Sequence, residues 1–186
     1  MRRSGRTPHA SWRRRGGDPR SRGMSERVRP GPGQESVWDY PRPPRLVADT
    51  RRVRVVHRGV VIADTRRGLR LLETSHPPTW YLPPEDVALE HLRASAGESF
   101  CEWKGVAGYH DVVVADEVVA RAAWSYEAPT ERYAALAKHL AFYASRLDEC
   151  WVDEQRVVPQ PGAFYGGWIT PDVVGPFKGG PGTTGW

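Results

Sequence analysis

The chain has 186 residues, enough for one domain with a sizeable core, and carries 27 Lys+Arg against 22 Asp+Glu, a formal net charge of +5. That charge is lopsided: residues 1–36 hold ten arginines against three acids (+7), while residues 37–186 hold seventeen basic and nineteen acidic side chains (−2). The foldable part is therefore nearly neutral, which argues against a nucleic-acid platform; two cysteines are too few for a disulfide framework, and no run of about 18 apolar residues offers a membrane span.

Residues 1–36 form a leader rich in Arg, Gly, Pro and Ser. Such a segment cannot bury enough surface to offset its ordering entropy, so it is expected to be disordered. It lacks the apolar stretch of a secretory signal, and Met24 offers an alternative start. Residues 53–57 and 60–64 are β-branched runs around Arg58-Gly59 and predict a hairpin. Residues 69–73 predict a strand with Leu69, Leu71 and Glu73 on one face. Pro83-Pro84-Glu85-Asp86 opens a short predicted helix reaching Leu92, because proline and acids suit a first turn. Residues 112–115 and 118–124 repeat the hairpin design around Asp116-Glu117. A second short helix is predicted from Thr130, as its N-cap, to about Lys138; 140–143 either extends it or forms a strand. Residues 151–153 and 156–158 sketch a third hairpin around Glu154-Gln155. From Pro159 onward, eight glycines and five prolines in 28 residues argue against regular structure. The aromatic residues there are expected to anchor the tail across the domain. The fold class this predicts is mainly β (α+β): a meander or barrel-like domain of short hairpins with two short helices over residues 37–158, followed by an irregular tail over 159–186.

Three peptides between Glu73 and Pro129 carry the chemistry: E-T-S-H-P-P-T-W-Y-L-P-P-E-D-V from Glu73, C-E-W-K-G-V-A-G-Y from Cys101, and A-A-W-S-Y-E-A-P from Ala122. Glu73 and His76, three residues apart beside a rigid Pro-Pro turn, suit an acid/base pair, with Ser75 as a hydroxyl between them. The same groups equally suit ligand orientation, or plain bonding of the turn's own backbone. Lys104, between Trp103 and Gly105, offers a point charge to an anion, and glycine would let a ligand come close. A lysine lying over an aromatic or paired with Glu102 or Glu73 is the alternative. Trp124 and Tyr126 share strand parity, so they face one side, either to stack on a flat ring or to fill core. Cys101 and His110 have opposite parity, so no thiolate–imidazole pair is expected and Cys101 reads as a buried structural cysteine. The histidines are scattered and no C-x-x-C occurs, so no metal is expected from spacing.

In that order these peptides resemble the DUF427 family, small bacterial domains that also carry the label nucleotidyltransferase domain. The resemblance spans about residues 46–158, continues through A-F-Y at Ala141, and extends to a tail similar to the C-terminal extension of longer members. Glu117 and Gln155 stand where a turn glycine is usual, and Glu102-Trp103 replaces Pro-Tyr. The label implies nucleotidyl transfer with a divalent metal. This sequence has neither a D-x-D pair nor a G-x-x-x-x-G-K-[ST] loop to hold one. The expectation is a pocket lined by Glu73, Ser75, His76, Tyr81, Trp103, Lys104, Gly105, Trp124 and Tyr126, with Glu73, His76 and Lys104 as candidate catalytic residues. Its ligand would be a small molecule with a flat ring and an anionic group, such as a nucleotide, bound without a cofactor in a cytoplasmic setting and with no specific nucleic acid or membrane partner. Two other readings stand beside it: a group-transfer enzyme using Glu73 or His76 as acid/base, and a protein-interaction module using exposed aromatics and the tail.

Overall fold

Strand-forming sequence governs the chain from Arg27 onward. In the computed structural model, which describes residues 27–186, 46% is strand and 9% helical. The Arg-rich run up to residue 26, with the alternative start at Met24, lies outside the described residues. The strands are β1 (Glu35–Ser36), β2 (Arg45–Asp49), β3 (Val53–His57), β4 (Val60–Thr65), β5 (Gly68–Leu72), β6 (Thr79–Tyr81), β7 (Leu92–Cys101), β8 (Gly105–Val114), β9 (Glu117–Ser125), β10 (Leu140–Phe142), β11 (Glu149–Val152), β12 (Gln155–Arg156), β13 (Val158–Pro159), β14 (Trp168–Ile169) and β15 (Val173–Val174).

β7 to β10 form an antiparallel sheet in that order. A second antiparallel sheet runs β2-β5-β6. Leu82 and Leu140 exchange backbone hydrogen bonds of 2.8 and 2.9 Å, which stitch the end of β6 to β10. The third sheet runs β4-β3-β11-β12. Its apolar face (Val53, Val55, Ile62, Val152) packs against Val112, Val114, Phe142 and Trp168 to make the larger core cluster. A second cluster holds Leu71, Tyr81, Ala107, Tyr109, Trp124, Tyr126 and Tyr133. The β7–β10 sheet separates the two: Val112, Val114, Leu140 and Phe142 face the larger cluster, while Ala107, Tyr109 and Ala141, of opposite parity on β8 and β10, face the second.

The mainly β expectation holds, but the sheets do not close into a barrel. Neither predicted helix is an α-helix. Pro84–Asp86 and Leu89–His91 are single 3₁₀ turns, and Leu92 already belongs to β7. Val87 and Leu92, at their ends, take extended backbone, as β-branched and strand-paired residues do. Glu131–Leu136 is likewise 3₁₀ and kinked at Tyr133. Thr130 does not cap it; its hydroxyl donates to the Trp103 carbonyl at 2.6 Å and ties this turn to the β7–β8 turn.

The ends of the described chain also depart from expectation. β13 pairs with β14, so the tail carries short regular structure despite its glycines. Residues 27–36 are not free of the domain: β1 runs parallel to β15, and Val28 N–H donates to Gly175 O at 3.1 Å. Among the described residues no helix is long and apolar enough to cross a membrane.

Candidate functional site

The second core cluster does not fill completely. It leaves a cavity of about 440 Å³ bounded by the end of β5, β6, the β7–β8 hairpin, β9 and the tail. Of the residues expected at a site, Glu73, His76, Tyr81, Trp103, Lys104, Trp124 and Tyr126 line it. Ser75 and Gly105 do not. Ser75 is fully buried with positive φ (+69°), and its hydroxyl has no hydrogen-bond partner; its backbone serves the fold, donating to Val37 O (3.0 Å) and accepting from Lys178 N–H (2.8 Å). Gly105 opens β8 with φ +94° and provides turn geometry rather than room for a ligand.

Strand parity makes the aromatic wall. Tyr81 of β6 pairs opposite Leu69 of β5, and its ring centroid lies 6.3 Å from those of Trp124 and Tyr126. Tyr143 packs tilted against Trp124, its ring centroid 4.5 Å away. Gly166 completes this wall, since a Cβ there would lie 2.2 Å from the Trp124 indole. No side chain larger than hydrogen allows the tail to close so near the ring.

Lys104 sits in this wall, 6% exposed. Its ammonium lies 3.3 Å from Cys101 Sγ and 5.6 Å from the Tyr126 ring centroid, and among the described residues no carboxylate stands within ion-pair distance. Burial works to depress its pKa, but Tyr81 and Cys101, then Glu73, outweigh it and hold the ammonium above its ordinary value. Glu73 is pushed the other way. Burial raises its carboxyl above the usual carboxylate range, although Lys104, Arg42 and Lys178 oppose this. Arg42 Nε is 3.5 Å from it.

His76 does not pair with Glu73 through its ring. The two meet only through the backbone of their turn, His76 N–H to Glu73 O at 3.0 Å. The imidazole instead accepts at Nδ1 from Gln160 Nε2 (3.1 Å), whose second N–H donates to Lys178 O (2.8 Å), while Gln160 Oε1 accepts from Gly167 N–H (3.0 Å). Each amide atom thus meets a complementary partner, which assigns the amide orientation and leaves the imidazole proton on Nε2. Burial, followed by Lys178, Arg42 and Lys104, lowers the His76 pKa to about 3. His76 is therefore a neutral hydrogen-bonding group at pH 7, poorly suited to act as a base.

Cys101 lines the cavity and is only half-buried, contrary to a sealed structural role. His110 points away and meets Ser125 Oγ at 2.8 Å. Glu73 and Glu102 are the carboxylates on the cavity wall, and among the described residues no three His, Cys, Asp or Glu side chains stand together as metal ligands. The residues present do not assemble a resident metal centre.

Sequence reasoning missed Tyr109, Tyr143, Gln160, Phe164, Tyr165 and Lys178, all on the wall. Tyr109 was recoverable, since it sits in the Cys101 motif with the parity of Ala107. Gln160, Phe164, Tyr165 and Lys178 arrive from the tail and leave no local signal. Residues 45–153 match the family described as "Domain of unknown function (DUF427)". The chain belongs to that family. No curated protein matches it. The DUF427 segment supplies the three larger sheets apart from β12, and most of the aromatic wall; the tail beyond the match supplies the opposite side of the cavity.

Proposed function

We propose that this DUF427 protein binds a small ligand carrying a flat ring and an anionic group, nucleotide-like in chemistry, in the cavity around Lys104. The observation that carries this reading is the Lys104 ammonium, nearly inaccessible and, among the described residues, in contact with a thiol and an aromatic face but with no carboxylate at ion-pair distance. A buried charge without a counter-ion is costly, and a ligand anion is the partner that would relieve it. Tyr81, Trp124 and Tyr126 supply rigid apolar surface for a ring, and neutral His76 adds a donor at Nε2 for an acceptor atom of the ligand.

Calorimetry with AMP, adenosine and ribose 5-phosphate tests this directly. AMP is expected to bind more tightly than either fragment. Lys104→Met should weaken AMP by roughly ten- to a hundredfold, the scale of a lost charge-assisted contact, and leave adenosine nearly unchanged. Equal AMP binding by wild type and Lys104→Met would remove the basis of the proposal.

Glu73 favours a second reading, group transfer. A carboxyl raised above its ordinary range in a cavity can exchange a proton with a substrate, and Lys104 can stabilise developing negative charge. In that reading His76 orients rather than titrates. Turnover of a bound substrate should then disappear in Glu73→Gln while its binding persists; unchanged turnover would restrict the protein to binding.

A further inference from the structure

The cavity grades from charge to apolar surface. Lys104 lies at 6% exposure, whereas Phe100 and Phe164, which line the same cavity, are 76% and 67% exposed. Single exposed apolar side chains are ordinary, but here two phenylalanines from unconnected segments, β7 and the tail, border one opening. On the β7 side Phe100 stands next to last in its strand, beside the wall residue Cys101. On the tail side Phe164 is held in place. Its carbonyl accepts the Tyr143 hydroxyl at 3.2 Å, its ring packs edge-on to Tyr165 at 5.1 Å, and Tyr165 packs edge-on to His76 at 4.6 Å. A run of ring contacts therefore leads from the solvent-facing Phe164 to the polar groups of the site.

Resting on the reading of the cavity as a ring-and-anion site, we infer that its ligand is an amphipathic anion that enters charge first, its acidic group at Lys104 and a second apolar or aromatic portion resting on Phe100 and Phe164. A plain nucleotide bound in this sense would set sugar hydroxyls against two phenylalanines, which gains little. An aryl- or acyl-substituted phosphate or carboxylate would bury apolar surface on both sides of the mouth and gain from it.

Two probes that differ only in the outer group test this on the full chain: naphthalene sulfonate, and its anilino derivative, which adds a second ring. By calorimetry the anilino compound is expected to bind wild type roughly tenfold more tightly, the return on burying part of one extra ring. Phe100→Ala and Phe164→Ala should each erase most of that advantage while leaving naphthalene sulfonate within about twofold. Because both side chains are exposed, these variants should keep the wild-type melting temperature; Phe164→Leu, which retains apolar surface, should retain much of the advantage. Lys104→Met should weaken both probes. An advantage that survives both alanine variants, or is absent in wild type, overturns the inference while leaving the cavity reading intact, provided Lys104→Met still weakens naphthalene sulfonate. If Lys104→Met leaves both probes unaffected, or wild type binds neither, both readings fall.

Discussion

Protonating His76 would set a new cation beside Lys178, Arg42 and Lys104 in a site where burial already disfavours charge, so its imidazole gains a proton only near pH 3. In the unfolded chain it titrates near its ordinary value of 6.5. Between those values the unfolded state binds the proton and the folded state does not, so stability is lost as pH falls from about 6.5 toward 3. His76→Gln cannot titrate and is expected to flatten that limb. Urea unfolding at pH 6.5 and pH 4 should show the variant losing less stability than wild type, by about 2 kcal/mol after discounting for partial solvent contact. Equal losses would mean that His76 protonates freely in the folded protein, and that the Gln160 amide does not hold it as described. The same residue explains why its chemistry is misread from sequence. Glu73 and His76 stand close in the chain, which suggests an acid/base pair. What determines the imidazole's state is burial first, then cations that include Lys178 of the tail, while Gln160, 84 positions away, sets its tautomer.

At the scale of elements, the tail behaves as an interlocked strap rather than a loose coil. Gly179 has φ +118°, and a Cβ there would lie 1.9 Å from the Pro161 carbonyl oxygen, so the two limbs of the strap touch backbone to backbone. Gly179→Ala faces both a disfavoured conformation and a backbone clash that no rotamer can relieve. It is expected to cost about 2 kcal/mol or more, read as a lowered urea midpoint at unchanged slope. Gly182, also at positive φ but with no atom within 4 Å of the place a methyl group would take, is the control and should cost less when changed to alanine. Much of the sheet structure was legible in the sequence because β3, β4, β8, β9 and β11 carry β-branched alternation around short turns. β7 was not: Leu92–Cys101 holds Gly97, Ser95, Glu98 and Ser99, and lies at a sheet edge with most residues exposed, so no period survives. The helices failed for a related reason. Leu89 to Leu92 has helical composition, but Leu92 gains a strand partner in Val112, and tertiary pairing overrides local propensity. Seven cavity-lining residues are readable from motifs because the family segment folds them inward; the strap's contribution is not, since Gly/Pro-rich sequence carries no periodicity from which to infer a face.

The whole molecule is expected to unfold as one unit, because the strap belongs to the main core as well as to the site wall. Trp168 is 1% exposed within the larger core cluster, donates its indole N–H to Phe142 O at 2.9 Å, and donates its backbone N–H to Pro78 O at 2.8 Å. Further along, Asp172 meets Arg51 at 2.8 Å, and Val173 pairs beside Glu35, whose carboxylate in turn pairs with the largely buried Arg70 of β5. Tail, residues 27–36 and DUF427 segment thus share one set of contacts, and removing any of them exposes apolar surface of the others. Urea unfolding followed by far-UV circular dichroism, which reports the sheets, and by tryptophan fluorescence, to which Trp168 and Trp186 of the tail contribute, should give coincident transitions. A chain ending at residue 159 should lose cooperative unfolding altogether, since Trp168 leaves a hole in the core worth about 3–5 kcal/mol, a large part of a typical domain's stability. An early fluorescence transition with intact sheet signal would instead make the strap a separable cover, and the cavity a structure present only part of the time. Cooperative unfolding has a functional consequence. A ligand held between the family segment and the strap then stabilises every element by mass action, so a bound anion should raise the midpoint reported by both probes equally, whichever wall it touches.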